Sequence, residues 1–475
     1  MKRIVSLMIA LVALSMPQLR ADEGMWMINA ITKALEAKMQ ERGCQLSAGE
    51  IYNVDAPGAA LSDAIVSLDF GCTGSVISDR GLVITNHHCA YGDVFALSSA
   101  EHNYLEDGFW AMKSSEEVYI PGKSIYFLKR VLDVTEEVEA LKAEEAAAGR
   151  GAGLRRLSYL IEKKYGEQTG LEASLGSMWS GSRYYLALYE VYSDIRLVAA
   201  PPVSIAAFGG DIDNWEWPQH KCDFAMYRIY AGPDGRPAAH SDANVPFKPS
   251  RKLAISLDGI REGDFAMVLG YPGRTDRYSS SAKIDYLQAV NLPVANEIRA
   301  QQMRIVNDWM NADPSVRLKY ADWYFMLSNV QENNDGEVQC IRRFGVVDAK
   351  RREEQRLRAW IEADEARKAR WGGLLEQLDR TYEAVREPEG NIVCYRETIV
   401  RGSKFGLVAS RLSSLGNSAS RKNRNVSMES IADAYSQMDL RVEKDLFRHC
   451  VETFYAGVDS LYWGEYQKNL YRCCG

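Results

Sequence analysis

The chain has 475 residues, of which 46% are hydrophobic and 25% are charged, so its composition is that of a folded protein and argues against intrinsic disorder. The formal net charge of −7 gives no electrostatic case for a nucleic-acid-binding protein. At about 150 residues per domain, this length allows two or three domains.

The N-terminus has the pattern of a secretory signal. Two basic residues precede an apolar run over residues 4–16, which is too short to span a bilayer. Ala21 then offers a small residue for cleavage, although the residue two positions earlier is larger than usual. We predict a cleaved signal over residues 1–21 and a secreted or periplasmic protein. No other long apolar run follows, so we expect no stable membrane span.

Strand and helix patterns divide the remaining chain into two parts. Short apolar strands and turns characterise the first part, with one helical stretch at 133–166 and strands near 60–130, 183–207, 224–230 and 265–269. Charged amphipathic helices dominate the second part, at 281–311, 348–386 and 428–456. We therefore predict a mixed β and α fold, with a β-rich domain over 22–278 followed by an α-helical domain over 279–475.

A hairpin in the first part carries the clearest chemistry. The segments Gly71-Cys72-Thr73-Gly74 and Thr85-Asn86-His87-His88-Cys89 flank a turn at 78–81, with strand-like apolar residues between them. Of the nine cysteines, only Cys72 and Cys89 have a local structural reason to pair, so we predict a disulfide between them. No Cys-x-x-Cys pair occurs, which argues against a zinc ribbon or a thioredoxin-like motif.

His88 is the preferred candidate for a general base. Neighbouring residues of an extended chain point to opposite faces, so only one of His87 and His88 can face a cleft. His88 directly precedes Cys89, as in the His-Cys pair of trypsin-like proteases, where a rigid strand end holds the base. Two weaker alternatives stay open. One is a thiol dyad of His88 and Cys89, and the other is a zinc site from His87, His88 and His220.

A histidine base needs a carboxylate that fixes its tautomer and stabilises its positive charge. Asp223 is the best candidate, because it enters the predicted strand at 224–228 and a carboxylate at a strand start is held firmly. The competing interpretation of Asp223 is a turn cap.

Several short segments occur along the chain in one order. They are Gly71-Cys72-Thr73-Gly74, Thr85-Asn86-His87-His88-Cys89, Glu101-His102-Asn103-Tyr104-Leu105, Asp213-Asn214-Trp215, Asp223-Phe224 and Gly270-Tyr271-Pro272-Gly273. Together they resemble the bacterial dipeptidyl-peptidase 7 and 11 family of serine exopeptidases. The resemblance runs from about residue 22 to residue 273 and is weaker in the helical part.

The resemblance implies a chymotrypsin-like double β-barrel with a large inserted helical domain, and the release of dipeptides from the free N-terminus of peptides. It implies that His88 is the general base and that Asp223 orients it. It also implies that Asn214, Trp215 and Asn329 bind the α-ammonium group of the substrate, since amide oxygens and an aromatic face both suit a cation. No cofactor and no metal are expected, and a homodimer is a family-level expectation only.

The family places its nucleophilic serine late, in a Gly-Asn-Ser-Gly-Ser type motif, and no such motif occurs in the 475 residues. The nearest segment is Gly416-Asn417-Ser418-Ala419-Ser420, which we interpret as a polar loop between helices, because Ser418 lacks a following glycine. We therefore expect a truncated helical domain, an incomplete second barrel and an inactive chain when it is produced alone.

Three functional hypotheses follow. The first is an incomplete copy of a secreted serine dipeptidyl-peptidase. The second is a non-catalytic secreted peptide-binding protein or decayed enzyme that keeps the amine-binding residues. The third is a metalloenzyme that uses the three histidines. We prefer the first.

Overall fold

The computed structural model describes residues 25–474, with gaps at 100, 152, 208–213, 217, 274–277, 416–430 and 433. The described residues of Met1–Phe208 and Lys221–Arg277 form one unit, and those of Gly209–His220 and Tyr278–Gly475 form a second. The sequence places 209–220 in the β-rich part, whereas the structure groups the described residues of this segment with the helices. Hydrogen bonds from Asn214 and Trp215 to Asn329 account for this grouping.

The first unit is built on one antiparallel sheet of eleven strands. The strands are β1 (Ile65–Leu68), β2 (Cys72–Val76), β3 (Leu82–Thr85), β4 (Phe109–Trp110), β5 (Val118–Tyr119), β6 (Ile125–Asp133), β7 (Glu172–Met178), β8 (Arg183–Tyr192), β9 (Asp194–Ala200), β10 (Ala225–Ala231) and β11 (Val245–Pro246). Their order is β4-β9-β10-β3-β2-β1-β6-β8-β7, while β11 pairs with β10 and β5 pairs with β9. Strand β10 therefore lies beside β3, the strand that leads into the histidine pair.

Seven α-helices accompany the sheet among the described residues of the first unit. They are α1 (Lys33–Glu41), α2 (Ala48–Ile51), α3 (His87–Leu97), α4 (Tyr104–Asp107), α5 (Thr135–Ala147), α6 (Leu154–Thr169) and α7 (Val203–Ala206). The predicted helical stretch at 133–166 forms as two helices, α5 and α6. Glycines at positions 149, 151 and 153 lie between them and interrupt the helical pattern. The main core lies between the sheet and α3, which contributes Ala90 and Val94 to a cluster with Val83, Tyr227 and Ile229.

The second unit is helical. Its helices are α8 (Ser281–Tyr286), α9 (Leu292–Ala312), α10 (Pro314–Arg343), α11 (Val346–Glu362), α12 (Glu365–Trp371), α13 (Leu374–Tyr395), α14 (Lys404–Leu415), α15 (Leu440–Gly457) and α16 (Glu465–Cys474). Apolar residues of α9, α10 and α15 form its largest buried cluster, including Val306, Tyr320 and Leu446. The predicted mixture of a β-rich and an α-rich part is thus confirmed. No helix of the described chain is long and apolar enough to cross a membrane.

Two local predictions were wrong. His87 and His88 begin helix α3 rather than ending a strand, because β3 stops at Thr85 and Asn86 takes an extended N-cap conformation. Residues 265–269 form no strand, although Phe265 and Met267 are half-buried and Val268 is exposed in the expected alternation. Strand-forming residues need a hydrogen-bonded neighbour to become a strand, and no described strand pairs with this segment.

Candidate active site

The start of helix α3 positions both histidines. His87, Ala90 and Val94 are spaced three and four residues apart and form the buried face of the helix. His88 is the next residue round the helix, so its side chain turns outward and is 57% exposed. Helical spacing, rather than strand alternation, therefore separates the two imidazoles.

Asp223 takes the place of a side-chain cap at the N-terminus of α3. Asn86 holds the N-cap position, but its own side chain accepts no hydrogen bond from the first turn. Instead, the backbone N–H of His88 donates to Oδ1 of Asp223 over 3.1 Å. The carboxylate thus accepts an otherwise unpaired N–H and lies at the positive end of the helix dipole, where negative charge is favoured.

The imidazole of His88 is held by the same carboxylate. Nδ1 of His88 lies 2.8 Å from Oδ2 of Asp223, two residues before strand β10 begins. The side-chain amide of Asn86 donates to Oδ2 over 3.3 Å and to the backbone oxygen of Asp223 over 3.1 Å. Strand β3, helix α3 and strand β10 thereby converge on one His–Asp pair.

These contacts determine the protonation of the pair. Burial alone would raise the pKa of Asp223, but hydrogen bonds from the side chain and backbone of His88 outweigh burial and lower that pKa. An ionised carboxylate can only accept hydrogen bonds, so Nδ1 of His88 must be the donor. In the neutral ring, Nε2 then carries the lone pair, which is the tautomer that a general base requires.

His87 has a different environment. Its side chain is only 3% exposed, and its ring contacts the backbone carbonyl of Pro201. Burial lowers the pKa of His87, so the imidazole stays neutral inside the fold. Its Nε2 is buried without a hydrogen-bond partner. These features fit the structural role that the sequence predicts for this residue.

A disulfide joins Cys72 at the start of β2 to Cys89 in the first turn of α3. It closes a loop of 17 residues, and the two Cα atoms lie 6.2 Å apart. It fastens the helix one residue after His88.

Replacing Cys72 and Cys89 together by alanine is expected to lower the free energy of unfolding by about 3 kcal/mol, because the unfolded chain gains loop entropy. Denaturant unfolding of the oxidised protein and the double variant measures this difference. Equal unfolding midpoints would contradict the expectation.

Acid should weaken the fold partly through Asp223. Its pKa in the folded protein lies below the ordinary value of 3.8, so the unfolded chain binds the proton first as the pH falls. The stabilisation is therefore complete above pH 3.8 and is lost as the pH falls through the lower folded pKa. The variant Asp223→Asn should lose less stability than the parent between about pH 5 and pH 2. Denaturant unfolding at several pH values tests this, with Asp258→Asn, at an exposed carboxylate, as the control. If the acid dependence of stability were the same in Asp223→Asn and in the parent, Asp223 would not have a lowered pKa in the folded protein.

The second unit contains the other predicted group. Nδ2 of Asn214 donates to Oδ1 of Asn329 over 3.1 Å. The indole Nε1 of Trp215 donates to the same Oδ1 over 2.9 Å and to the backbone oxygen of Asn329 over 3.0 Å. Asn329 lies in helix α10 and accepts hydrogen bonds from both Asn214 and Trp215. The structure thus brings Asn329 to the adjacent pair Asn214 and Trp215, across more than a hundred positions of the sequence.

Trp215 is presented in an unusual way. Its φ angle is +60°, a left-handed conformation that is uncommon for a bulky residue. The side chain is nevertheless 58% exposed, so the indole is fixed through its N–H while its ring faces solvent. A strained backbone that displays an exposed aromatic ring is typical of a binding residue.

The alternatives from the sequence find little support in the described residues. Cys72, His88 and Cys89 are the one described group of three possible metal ligands, but both sulfur atoms belong to the disulfide and cannot act as thiolates. This also removes the thiol dyad of His88 and Cys89. The zinc hypothesis for the three histidines gains nothing from that group. Ser418, the nearest candidate nucleophile, lies outside the described residues.

Sequence reasoning missed Asn86 and the capping role of Asp223. The available signal was an asparagine immediately before a helix, which is a preferred N-cap residue. It was masked because the apolar residues before it suggested that the strand continued through the histidines.

Known proteins resemble this chain along most of its length. A family model described as Peptidase S46 matches residues 21–471. The dipeptidyl-peptidase 7 of Capnocytophaga gingivalis is 37% identical over 457 residues, which cover 94% of this chain and 63% of that protein. An Asp/Glu-specific dipeptidyl-peptidase of the same species is 33% identical and covers 91% of this chain and 61% of its own length.

A solved structure has a similar fold over most of this chain. The crystal structure of Porphyromonas endodontalis DPP11 in complex with the dipeptide Arg-Glu has a TM-score of 0.78 and 31% sequence identity. The match covers 92% of this chain and 64% of that chain. The present chain therefore spans less than two thirds of the length of each of these three proteins.

Proposed function

The chain belongs to the Peptidase S46 family, and on that premise we propose that it carries the general base and the amine-binding residues of a serine-type dipeptidyl-peptidase. The observation that carries this proposal is the 2.8 Å contact between Nδ1 of His88 and Oδ2 of Asp223. Relatives named dipeptidyl-peptidase 7 and Asp/Glu-specific dipeptidyl-peptidase support the reaction class. The substrates would be peptides with a free N-terminus.

In the proposed reaction, Nε2 of His88 takes the proton of a serine hydroxyl as that oxygen attacks the carbonyl carbon of the second peptide bond. The ionised Asp223 accepts the Nδ1–H bond and stabilises the imidazolium that forms. His88 then returns the proton to the leaving amine, so that the dipeptide remains as an ester on the serine. Water hydrolyses the ester by the same proton transfers in reverse order, which regenerates the serine and releases the dipeptide.

We place the nucleophilic serine outside these 475 residues. No Gly-Asn-Ser-Gly-Ser segment occurs in the sequence, and the relatives are longer than this chain. We also propose that strands outside these 475 residues complete a chymotrypsin-like double barrel. Within the segment at 251–273, Leu257 and Val268 face solvent, and we propose that this stretch pairs with strands from that region. Activity is therefore to be measured on the product of the complete reading frame.

Selection for a free N-terminus is proposed to come from the group of Asn214, Trp215 and Asn329. An α-ammonium group has three donors, and the side-chain oxygens of the two asparagines are acceptors of the right kind. Oδ1 of Asn329 accepts from Asn214 and Trp215, so the ammonium group would replace one of these two donors. The exposed ring of Trp215 adds a cation–π contact. An acetylated N-terminus has no positive charge and needs more room, so it should be rejected.

We also propose that the protein is secreted or periplasmic. The basic and apolar N-terminal pattern supports export, and the disulfide between Cys72 and Cys89 suits an oxidising compartment.

The test is a comparison of matched peptides that differ only in N-terminal acetylation. The product of the complete reading frame is incubated with both forms, and the released fragments are identified by mass spectrometry. The proposal predicts dipeptides from the free form and none from the acetylated form. Cleavage of both forms at equal rates would overturn it. Binding of the free form without cleavage would instead favour the non-catalytic peptide-binding hypothesis.

A further inference from the structure

Helix α3 and strand β10 meet at a second point, beyond the His88–Asp223 pair. The hydroxyl of Tyr227 donates to Oδ2 of Asp93 over 2.5 Å. Asp93 lies in α3, five residues after His88, and Tyr227 lies in β10, four residues after Asp223. The two elements that carry the pair are therefore joined again about 7.5 Å further along the helix.

A buried lysine completes this second contact. Lys123 is only 9% exposed, and its Nζ lies 2.9 Å from Oδ2 of Asp93 and 3.3 Å from Oδ2 of Asp69. The same ammonium group lies 5.3 Å from the centre of the Tyr227 ring. A buried cation of this kind is stable only when it is paired, and here two carboxylates pair with it.

Asp69 links the cluster to the turn before the disulfide. It accepts the backbone N–H of Ser124 over 2.8 Å and has a φ angle of +50°. Cys72, three residues later, is bonded to Cys89 in α3. The cluster thus ties α3 to β10, to the β1–β2 turn and to the segment before β6.

We propose that Tyr227, Asp93 and Lys123 form a positioning cluster that locks helix α3 against strand β10 and so holds the imidazole of His88 within hydrogen-bonding distance of Asp223. This inference rests on the proposed role of His88 and Asp223. None of the three residues touches the imidazole, so each acts through the helix.

The position of His88 depends on how firmly helix α3 is held, because His88 lies in the first turn of that helix. Packing of Ala90 and Val94 holds α3 against the sheet, yet a movement of about 1 Å at its first turn is enough to weaken a catalytic contact. The hydrogen bond from Tyr227 to Asp93, about one and a half turns after His88, limits this movement. Burial raises the pKa of Tyr227, which favours the protonated hydroxyl that donates to Asp93.

The test compares two tyrosine-to-phenylalanine changes in the same strand. Tyr227→Phe removes the bond to Asp93, whereas Tyr230→Phe removes an equivalent bond, of 2.9 Å, to Glu117, which is not part of α3. Both hydroxyls are buried, and both bonds end on a carboxylate. We expect the two variants to lower the thermal unfolding midpoint by similar amounts.

Only Tyr227→Phe should disturb His88. Its Nδ1–H proton, which resonates far downfield in the NMR spectrum when it is bonded to a carboxylate, should broaden or disappear in Tyr227→Phe and stay sharp in Tyr230→Phe. In the product of the complete reading frame, Tyr227→Phe should lower kcat by about 10-fold with KM unchanged, which corresponds to the loss of one hydrogen bond to a charged group. Asp93→Asn keeps an acceptor for Tyr227, so its Nδ1–H signal and its kcat should be reduced less than those of Asp93→Ala.

The cluster has no positioning role if Tyr227→Phe keeps a sharp Nδ1–H signal, or if both tyrosine variants lose it equally. If Tyr227→Phe does not fold, the comparison of Asp93→Asn with Asp93→Ala decides by the same signal, and equal loss in both would reject the inference. The NMR measurement needs no catalysis. A protein without peptidase activity that loses the signal in Tyr227→Phe would therefore refute the proposed function and leave the positioning role intact.

Discussion

Replacement of His88 by alanine is expected to lower kcat/KM for dipeptide release by roughly 10,000-fold or more in the product of the complete reading frame. The change removes the proposed base, which Asp223 holds through its Nδ1, and leaves the serine without it. Binding of peptides should be largely unchanged, since the proposed amine site consists of Asn214, Trp215 and Asn329 and does not include His88. Steady-state hydrolysis of a dipeptidyl amide measures the first effect, and calorimetry measures the second.

The chain offers a matched control for this variant. His240 also pairs with a carboxylate, because its Nδ1 lies 3.0 Å from Oδ1 of Asp194, and its ring stacks on Tyr119. His240→Ala therefore removes a second His–Asp contact of the same unit that involves neither α3 nor Asp223. We expect activity close to that of the parent. If His240→Ala and His88→Ala reduced activity alike, loss of stability would explain both and the assignment of the base would fail.

Replacement of Asn329 by alanine is expected to weaken binding of peptides with a free N-terminus by about 10- to 100-fold, the equivalent of one or two lost hydrogen bonds to a charged group. The effect should be large because Asn329 accepts bonds from both Asn214 and Trp215. Its removal takes away one acceptor and the hydrogen bonds that Asn214 and Trp215 donate to it. Calorimetry on the 475-residue chain measures this directly, since no catalysis is needed.

Two comparisons make this prediction specific. An acetylated peptide should bind weakly to the parent and equally weakly to Asn329→Ala. Asn334→Ala changes another asparagine of helix α10, whose Nδ2 donates to Oδ1 of Asn296 over 2.9 Å, and it should leave affinity unchanged. Tight binding of both peptide forms by the parent, or full affinity in Asn329→Ala, would contradict an amine site at these residues.

The architecture could be predicted where sequence patterns are strong. The apolar strands of the first part and the amphipathic helices of the second appear in the structure near the expected positions. Local propensity failed where tertiary neighbours decide. The apolar run before Asn86 suggested a strand through His88, but the partner residues of β10 end the pairing at Thr85, and the carboxylate of Asp223 then caps a helix.

The candidate site was visible mainly through the order of its motifs. Nothing local in the sequence says that Asp223 would reach His88 across 135 positions, or that Asn214 would reach Asn329 across 115. The start of a predicted strand made Asp223 a candidate, the family resemblance supported its pairing with His88 and supplied the group of Asn214 and Asn329, and their catalytic and binding roles stay predictions. The contact between Asp93 and Tyr227 has no motif at all, because it depends on how a helix crosses a strand, and only the structure reveals it.

The most direct measurement is covalent labelling by a dipeptidyl phosphonate with a free amino group, applied to the product of the complete reading frame. Such a reagent reacts with a serine only when a base activates it. We expect one adduct, on a serine in a Gly-Asn-Ser-Gly type segment, and no adduct in His88→Ala. An adduct on Ser418, no adduct in the parent protein, or labelling that persists in His88→Ala would contradict this expectation.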